Sequence, residues 1–516
     1  MAVETSENQD VPTLCPPVAG IGFAKAKDSA SDIATRKFIR DVLFANLPVP
    51  FQKLRTYLWL IAMTRALGAE GFGVWSLFIL ALSNATTIAT LNCGSSLMRF
   101  LSGKRTSDEV SGAFSTVLAM VGAASAILIL MFLAFSGPMT AILFHSQKNR
   151  ILIALLAGAL LVDCAFEEMK NLLRARRLNK SWALLSLARL IPEIGATLTV
   201  AWWLRSVEAV SWTYLGVGGL SVIGGYLYVR NVCYLHHASP ARRIAIKYAK
   251  FGLPLLPGVL ASAVSFGADK YLVGYYLGLR QVGIYSVCFT VSALTFFLLG
   301  PINDVLFPEL SALHDTEQLD SFHHRFSGIQ KCIFGFSVGA SAILAAFPQQ
   351  VLRVFASRDF AAGGTTLAIL GVQGIFMALV LLYAVILNVR MRVWFSTLFW
   401  VASAVLILLL DVALIPRVGI AGAAVSQLIA TAAGAMALIV FHWELFRRTF
   451  DFRWLLQTGM AFALVCLIAT AWPATLMDFK QSIMKITAGG LVFILCLFAT
   501  RFIQVDDLRL MKEAAG

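Results

Sequence analysis

Ionisable side chains stand inside long apolar runs of this sequence, where few are tolerated. They are Lys53 and Arg55, Asp163, Arg189 and Glu193, and Asp269 with Lys270. A charge at the centre of a membrane helix costs about 2.5–3.5 kcal/mol on insertion scales, so such groups usually do something. Lys53 and Arg55 have the chemistry of an anion site, and an arginine grips phosphate oxygens in bidentate fashion. Two residues apart on a helix is about 200° of rotation, so only one of them faces a cavity squarely. Arg189 and Glu193 have the four-residue spacing of an internal ion pair, which is the structural alternative to a role for Arg189 in binding an anion. Asp163 and Glu167 share that spacing, and two adjacent carboxylates make a candidate proton site. Asp269 and Lys270 follow Pro254 and Pro257, prolines expected to break the helix and free carbonyls to line a cavity. Lys53, Arg55, Arg189 and Lys270 are thus the candidate anion-binding set. Asp269, Asp163 and Glu193 are the candidate ion-binding carboxylates, with Asp269 foremost and a pair with Lys270 as its alternative. Asn303 and Asp304 beside Pro301 read as a polar kink, and Asp411, near a helix end, is expected to be solvated.

Positioning such groups is a task for membrane helices. Hydrophobic residues make up 59 % of the 516 residues, charged residues 14 %, and mean hydropathy is +0.78. A soluble domain carries nearly twice that charge fraction. Runs long enough to cross about 30 Å of hydrocarbon fall at 43–66, 73–98, 112–136, 151–172, 181–204 and 208–229. A second six follow at 252–275, 282–307, 327–347, 363–386, 394–415 and 420–443, then a pair at 454–473 and 484–503. The expected fold class is an all-α polytopic membrane protein of fourteen transmembrane helices. Its expected divisions are a tail and interfacial helix at 1–42, a six-helix lobe at 43–230 and a linker at 231–250. A second six-helix lobe at 251–446 and a region of two extra helices at 447–516 complete it.

If the N-terminus is cytoplasmic, the cytoplasmic segments hold 28 of the 42 Lys and Arg and the outer loops 10. That bias follows the positive-inside rule with both termini in the cytoplasm. It also accounts for most of the net charge of +14. The charge is spread over eight short segments, which argues against a nucleic-acid partner. The eight cysteines are scattered, with no CxxC or Cys/His cluster, so neither a zinc site nor a disulfide framework is indicated, and no cofactor is called for. The first residues lack the apolar core and cleavage site of a signal peptide. Residues 1–30 read as a disordered tail and 32–44 as a helix at the membrane surface.

The two sets of six are related. Leu67, Gly68, Gly73 and Ser76 match Leu277, Gly278, Gly283 and Ser286 at a constant offset of 210 residues, with Trp75 opposite Tyr285. Two copies of LG-x4-G, each between one apolar helix and the next, indicate internal duplication. In membrane proteins that usually means a transporter with its site between the repeats.

Three stretches then resemble the polysaccharide-unit (Wzx-like) flippases, within the superfamily that also holds the MATE multidrug exporters and the lipid II flippases. They are TRALGAEGFGVWSL at Thr64–Leu77, DKYLVGYYLGLRQVGIYS at Asp269–Ser286 with the ending at Pro308–Ser311, and LIPRVGIAGAAVSQLIA at Leu414–Ala430. The resemblance implies two six-helix lobes in a V around a central cavity, with two further helices. It implies a transporter of the bacterial inner membrane that moves lipid (undecaprenyl)-pyrophosphate-linked oligosaccharides outward, with an H+ or Na+ counter-ion. Membrane lipids and the polysaccharide polymerase machinery are its implied partners. Asp411 departs from the family pattern, which often has an asparagine in that neighbourhood. A multidrug exporter of organic cations and a lipid II flippase remain as alternatives. A glycosyltransferase or polymerase would need a large outer loop or a DxD-like cluster, and neither is present.

Overall fold

The computed structural model describes residues 48–102, 106–144, 150–297, 299, 310–311, 313, 316, 318–389, 393–471, 479–500 and 502; for 48–53, 388 and 393 this covers the backbone only. The expected tail and surface helix at 1–42 and the kink at Asn303 and Asp304 lie outside these residues.

The described chain is helical throughout, as a bilayer demands: with no water in the hydrocarbon, backbone groups are satisfied within a helix. Eleven helical stretches are long and apolar enough to cross a membrane. Two more, α5 (Arg150–Ala175) and α7 (Val207–Cys233), have 26 and 27 residues and therefore the length. The first stretch, α1 (Pro48–Ala89), contains two of the expected spans joined at a kink. Hydroxyls inside the spans bond back to the preceding turn, as Thr64 does to the Leu60 carbonyl at 2.7 Å and Ser211 to Val207 at 2.8 Å. Large apolar side chains such as Ile191, Leu220 and Leu467 point outward, where lipid rather than water would meet them.

Packing follows the duplication. α1, α2 (Cys93–Leu101), α3 (Ser107–Ala134), α5, α6 (Asn179–Leu204) and α7 pack among themselves. A second group comprises α9 (Leu256–Ser265), α10 (Ala268–Leu277), α12 (Leu319–Ala346), α14 (Gly364–Val389), α15 (Val393–Val418) and α16 (Ile420–Phe441). The extra helices α18 (Phe452–Ala471) and α19 (Phe479–Ala499) lean on α12 and α13 (Pro348–Phe355).

The main seam between the groups is α1 against α11 (Leu279–Ser292), and the repeated motif makes it. Gly68 (φ 68°, ψ −175°) and Gly278 (φ 86°, ψ 171°) turn the chain in the same way, at a φ that favours glycine. Beyond each turn the helices cross through the paired glycines. A Cβ on Gly73 would stand 2.0 Å from the Leu279 carbonyl oxygen, and one on Gly283 would stand 1.9 Å from that of Ala69. Ser76 donates a hydrogen bond to Ser286 at 2.7 Å across the seam. Each contact maps onto its counterpart at the repeat offset, so LG-x4-G is the device by which the two repeats dock on each other.

Two expected helices differ in outline. The second expected span breaks at Leu91 and Asn92, both left-handed, before α2 begins. The seventh leaves the α-helical pattern at Pro254, where a 3-10 turn at Leu253–Leu255 separates Arg242–Gly252 from α9 without a change of direction in the backbone angles. Those prolines lie in a short 3-10 turn and in the first turn of α9, where a missing N–H costs nothing. A second break comes at Phe266–Gly267, about three turns later, shortly before Asp269.

Gly73→Ala and Gly283→Ala should force backbone apart at the seam and destabilise the protein by about 1–3 kcal/mol, as overpacking does. Gly112→Ala, with nothing within 4 Å of the new methyl, should not. Thermal unfolding of the four proteins in detergent checks this; equal melting would refute the seam.

Candidate functional site

The first group of helices is organised around Arg189 on α6. Its Nη2 lies 2.5 Å from Asp163 Oδ1 on α5 and donates to the Tyr214 hydroxyl on α7 at 3.1 Å, while its Nε donates to Glu193 Oε2 at 3.1 Å. Tyr214 in turn donates to Asp163 Oδ2 at 2.8 Å. The guanidinium also lies over the rings of Phe166 and Tyr214, at 4.7 and 5.5 Å. Gly218 lets α7 close on α5 beside it: a Cβ there would stand 2.7 Å from Val162 Cγ1, with Arg189 Nη2 at 3.6 Å. Glu193 has a second partner in Arg55 of α1, whose Nη1 is 2.9 Å from Oε1. Trp59, one turn after Arg55, donates to Thr197 at 3.1 Å and fixes α1 on α6. The result is an alternating chain, Arg55–Glu193–Arg189–Asp163, in which each charge touches its opposite. Its ends differ from its middle: the Arg55 side chain is 32 % exposed, that of Glu193 4 %.

Beside this chain lies a cavity of about 350 Å³. One wall carries the hydroxyls of Ser83, Thr86, Thr87 and Thr90 from α1; the other carries Asp163, Glu167 and Asn171 from α5, with Tyr214 at its edge. Glu167 is paired with Lys170 at 2.6 Å. The cavity therefore offers many hydroxyl and amide groups, and both of its lining carboxylates already have a cation.

The second group handles its charge differently. Asp269, in the first turn of α10, is fully buried and accepts from the Tyr285 hydroxyl of α11. It also accepts from Gln427 Nε2 of α16 at 3.0 Å and from the backbone N–H of Lys270 at 2.8 Å. Gln427 donates as well to the Ser265 carbonyl at 3.0 Å, which the break at Gly267 leaves free. Asp411, on α15, reaches the same region: the charge of Asp269 acts on it, and Ser426 of α16 lies alongside. The motif at Leu414–Ala430 makes this possible. Gly419 (φ 74°) reverses the chain, and a Cβ on Gly422 would stand 2.5 Å from the Leu414 carbonyl, so α15 and α16 run in close contact.

The sequence-derived residues therefore fall into two sites. Arg55, Arg189, Glu193 and Asp163 come together in the first. Asp269 belongs to the second, hydrogen-bonded by Tyr285 and Gln427; the charge of Lys270 acts on it as well, while the ammonium lies 5.2 Å from the Phe289 ring. Asp163 does not share a proton site with Glu167; each carboxylate has its own cation. The expectation of a solvated Asp411 is corrected: it is 0 % exposed, and neither carboxylate oxygen has a hydrogen-bond partner among the described residues. Tyr214, Tyr285 and Gln427 were not expected, because a neutral side chain in a long apolar run carries no signal of its own. For Lys53 only the helical backbone is described.

Comparison with known proteins identifies the family and the fold. The family model described as polysaccharide biosynthesis protein matches residues 62–361. A curated protein of Haloferax volcanii, described as the probable flippase AglR, is 24 % identical over 414 residues, covering 73 % of this chain and 78 % of that one. Among solved structures, the lipid II flippase MurJ in an inward closed conformation superposes with a TM-score of 0.70 at 15 % identity, over 89 % of this chain and 99 % of MurJ. An inward-facing multidrug resistance MATE family transporter of the MOP superfamily gives 0.60 at 12 % identity, over 79 % and 95 %. The structural likenesses establish the fold, and the family match covers more than half of the chain. The protein belongs to the polysaccharide biosynthesis protein family.

Proposed function

We propose that this protein flips lipid (undecaprenyl)-pyrophosphate-linked oligosaccharide units from the cytoplasmic to the outer leaflet of a bacterial inner membrane. It does so by alternating access between lobes at 43–230 and 251–446, with 231–250 as a cytoplasmic linker, 447–516 as an appended helix pair and both termini cytoplasmic. The observation that carries this reading is Arg55. It is the member of the charged chain that is both ion-paired and substantially exposed, so an incoming diphosphate can engage it without entering the buried pairs. Lys270, and Lys53 on the same helix as Arg55, are further cations for the head group. The hydroxyl-lined cavity suits sugars; the family description supports a glycan cargo and the curated relative supports flipping. An inside-negative potential favours outward movement of the anion by about 2.3 kcal/mol per charge per 100 mV. Asp269 and Asp411 serve as the counter-ion site for H+ or Na+, and the exported unit passes to a polymerase.

One observation favours the alternative of organic-cation export: two carboxylates line the cavity. The discriminating measurement is translocation of a labelled lipid-pyrophosphate oligosaccharide in liposomes, with membrane potential and ion gradients set independently. Protein-dependent flipping is expected. Efflux of organic cations without flipping would place the chain with the drug exporters, and competition by lipid II would point to peptidoglycan precursors.

In that assay Arg55→Ala should slow flipping tenfold to a hundredfold, the equivalent of losing a charge-assisted bond of about 1.5–3 kcal/mol, with the protein still folded. Arg189→Ala should act on stability instead. It leaves Asp163 and Glu193 with reduced compensation, a loss of about 3–5 kcal/mol for a broken buried pair, read as poor recovery and early melting. Asp269→Asn and Asp411→Asn should each abolish the response to an ion gradient while potential-driven flipping persists. Unchanged gradient dependence in both would remove the counter-ion site.

A further inference from the structure

We infer that Glu168 is a proton-binding carboxyl built into the seam between α2 and α5, separate from the charged chain at Arg189 and from the Asp269–Asp411 site. Glu168 is 0 % exposed, and neither of its oxygens has a hydrogen-bond partner among the described residues. Its neighbour Glu167 is turned about 100° away, towards the cavity, and is paired with Lys170. Glu168 instead shares the inner face of α5 with Cys164, one turn before it, and looks across to Cys93 on α2. Among the described residues the titratable groups that act on Glu168 or are acted on by it are Cys93 of α2 and Cys164 and Glu167 of its own helix, and none is a cation.

An ionised carboxylate in such a place must have a cation or several donors, or else neutralise. Here the neighbours are two thiols, a second acid and a single amide, Asn171, which is short of the several donors an ionised carboxylate needs, so the proton is the partner that the site is built to take. A larger cation has no room. The helices touch at Gly94 of α2, where an added Cβ would stand 2.3 Å from Asn171 Nδ2. Asn171 lies between two environments: it borders the 350 Å³ cavity and lies next to Glu168. It is therefore the gate through which a proton passes from cavity water to the carboxyl. Loss of the proton would draw water into the seam and separate α2 from α5, so proton occupancy sets the packing of the cavity's supporting wall. This inference does not depend on what the protein transports.

A hydrophobic carbodiimide reacts with protonated carboxyls in apolar surroundings. Purified protein in liposomes should form an adduct on Glu168, located by peptide mass spectrometry. Its yield should fall about tenfold per pH unit once deprotonation sets in. Asn171→Ala should speed labelling. An infrared difference spectrum, wild type minus Glu168→Gln, supplies a readout that needs no reagent access: a carboxylic-acid carbonyl band is expected. A carboxylate band in its place at neutral pH, or an adduct yield independent of pH, would overturn the assignment whatever the flipping assay shows.

Discussion

Hydrocarbon offers a charge no solvent, so every ionised group inside this bundle must bring its counter-charge or its donors with it. The first repeat meets that constraint with a neutral chain of two cations and two carboxylates drawn from three helices. Because Arg189 needs Asp163, Glu193 and Tyr214 at once, the relative positions of α5, α6 and α7 are tied to one guanidinium. Glu193 then ties α1 to them through Arg55. Local features of the fold serve this arrangement. Gly218 lets α7 close on α5, Phe166 and Tyr214 give ring faces to the charge, and the Trp59–Thr197 bond holds the approach of α1.

The second repeat docks through the same glycine crossing yet treats charge in another way. Asp269 has neutral donors around it, from Tyr285, Gln427 and a backbone N–H, and among the described residues it makes no ion pair, although the charge of Lys270 acts on it. Asp411 close by has none of these. The same scaffold thus carries two different buried polar arrangements: a chain of ion pairs in the first repeat, and a carboxylate held by neutral donors in the second.

How far this was legible in the sequence depended on whether a feature is local. LG-x4-G could be read because positive φ and close crossing both require glycine, and because it occurs twice at one offset. Arg189 and Glu193 could be read because a pair four residues apart lies on one helix. The partner of Asp163 could not, since Arg189 belongs to another helix and the nearer carboxylate at Glu167 offered a false match. Asp411 was misjudged for a related reason. Distance from the end of a hydropathy run measures depth along the chain, not contact with α16 and Asp269. Glu168 was hidden in the polar run EEMK, in which helical phase alone separates a paired surface acid from a buried one.

On the proposed function, the paired chain lets a site for a strong anion wait in a membrane without collapsing on itself. An isolated arginine facing a cavity would be costly before the substrate arrives, and a fully paired one would be unavailable. Arg55 has an intermediate position. Its carboxylate partner, Glu193, is held from the other side by Arg189, and Arg189 is held in turn by Asp163 and Tyr214. If Arg55 turned to a diphosphate, Glu193 would keep Arg189 and no buried charge would be orphaned, and it is an orphaned charge that makes removal of a single partner so costly. Displacing Arg189 would instead leave Asp163 without its cation and Glu193 with Arg55 alone. On the proposed function an anion would therefore be exchanged at the exposed end of the chain and not at its centre, where one arginine serves two carboxylates.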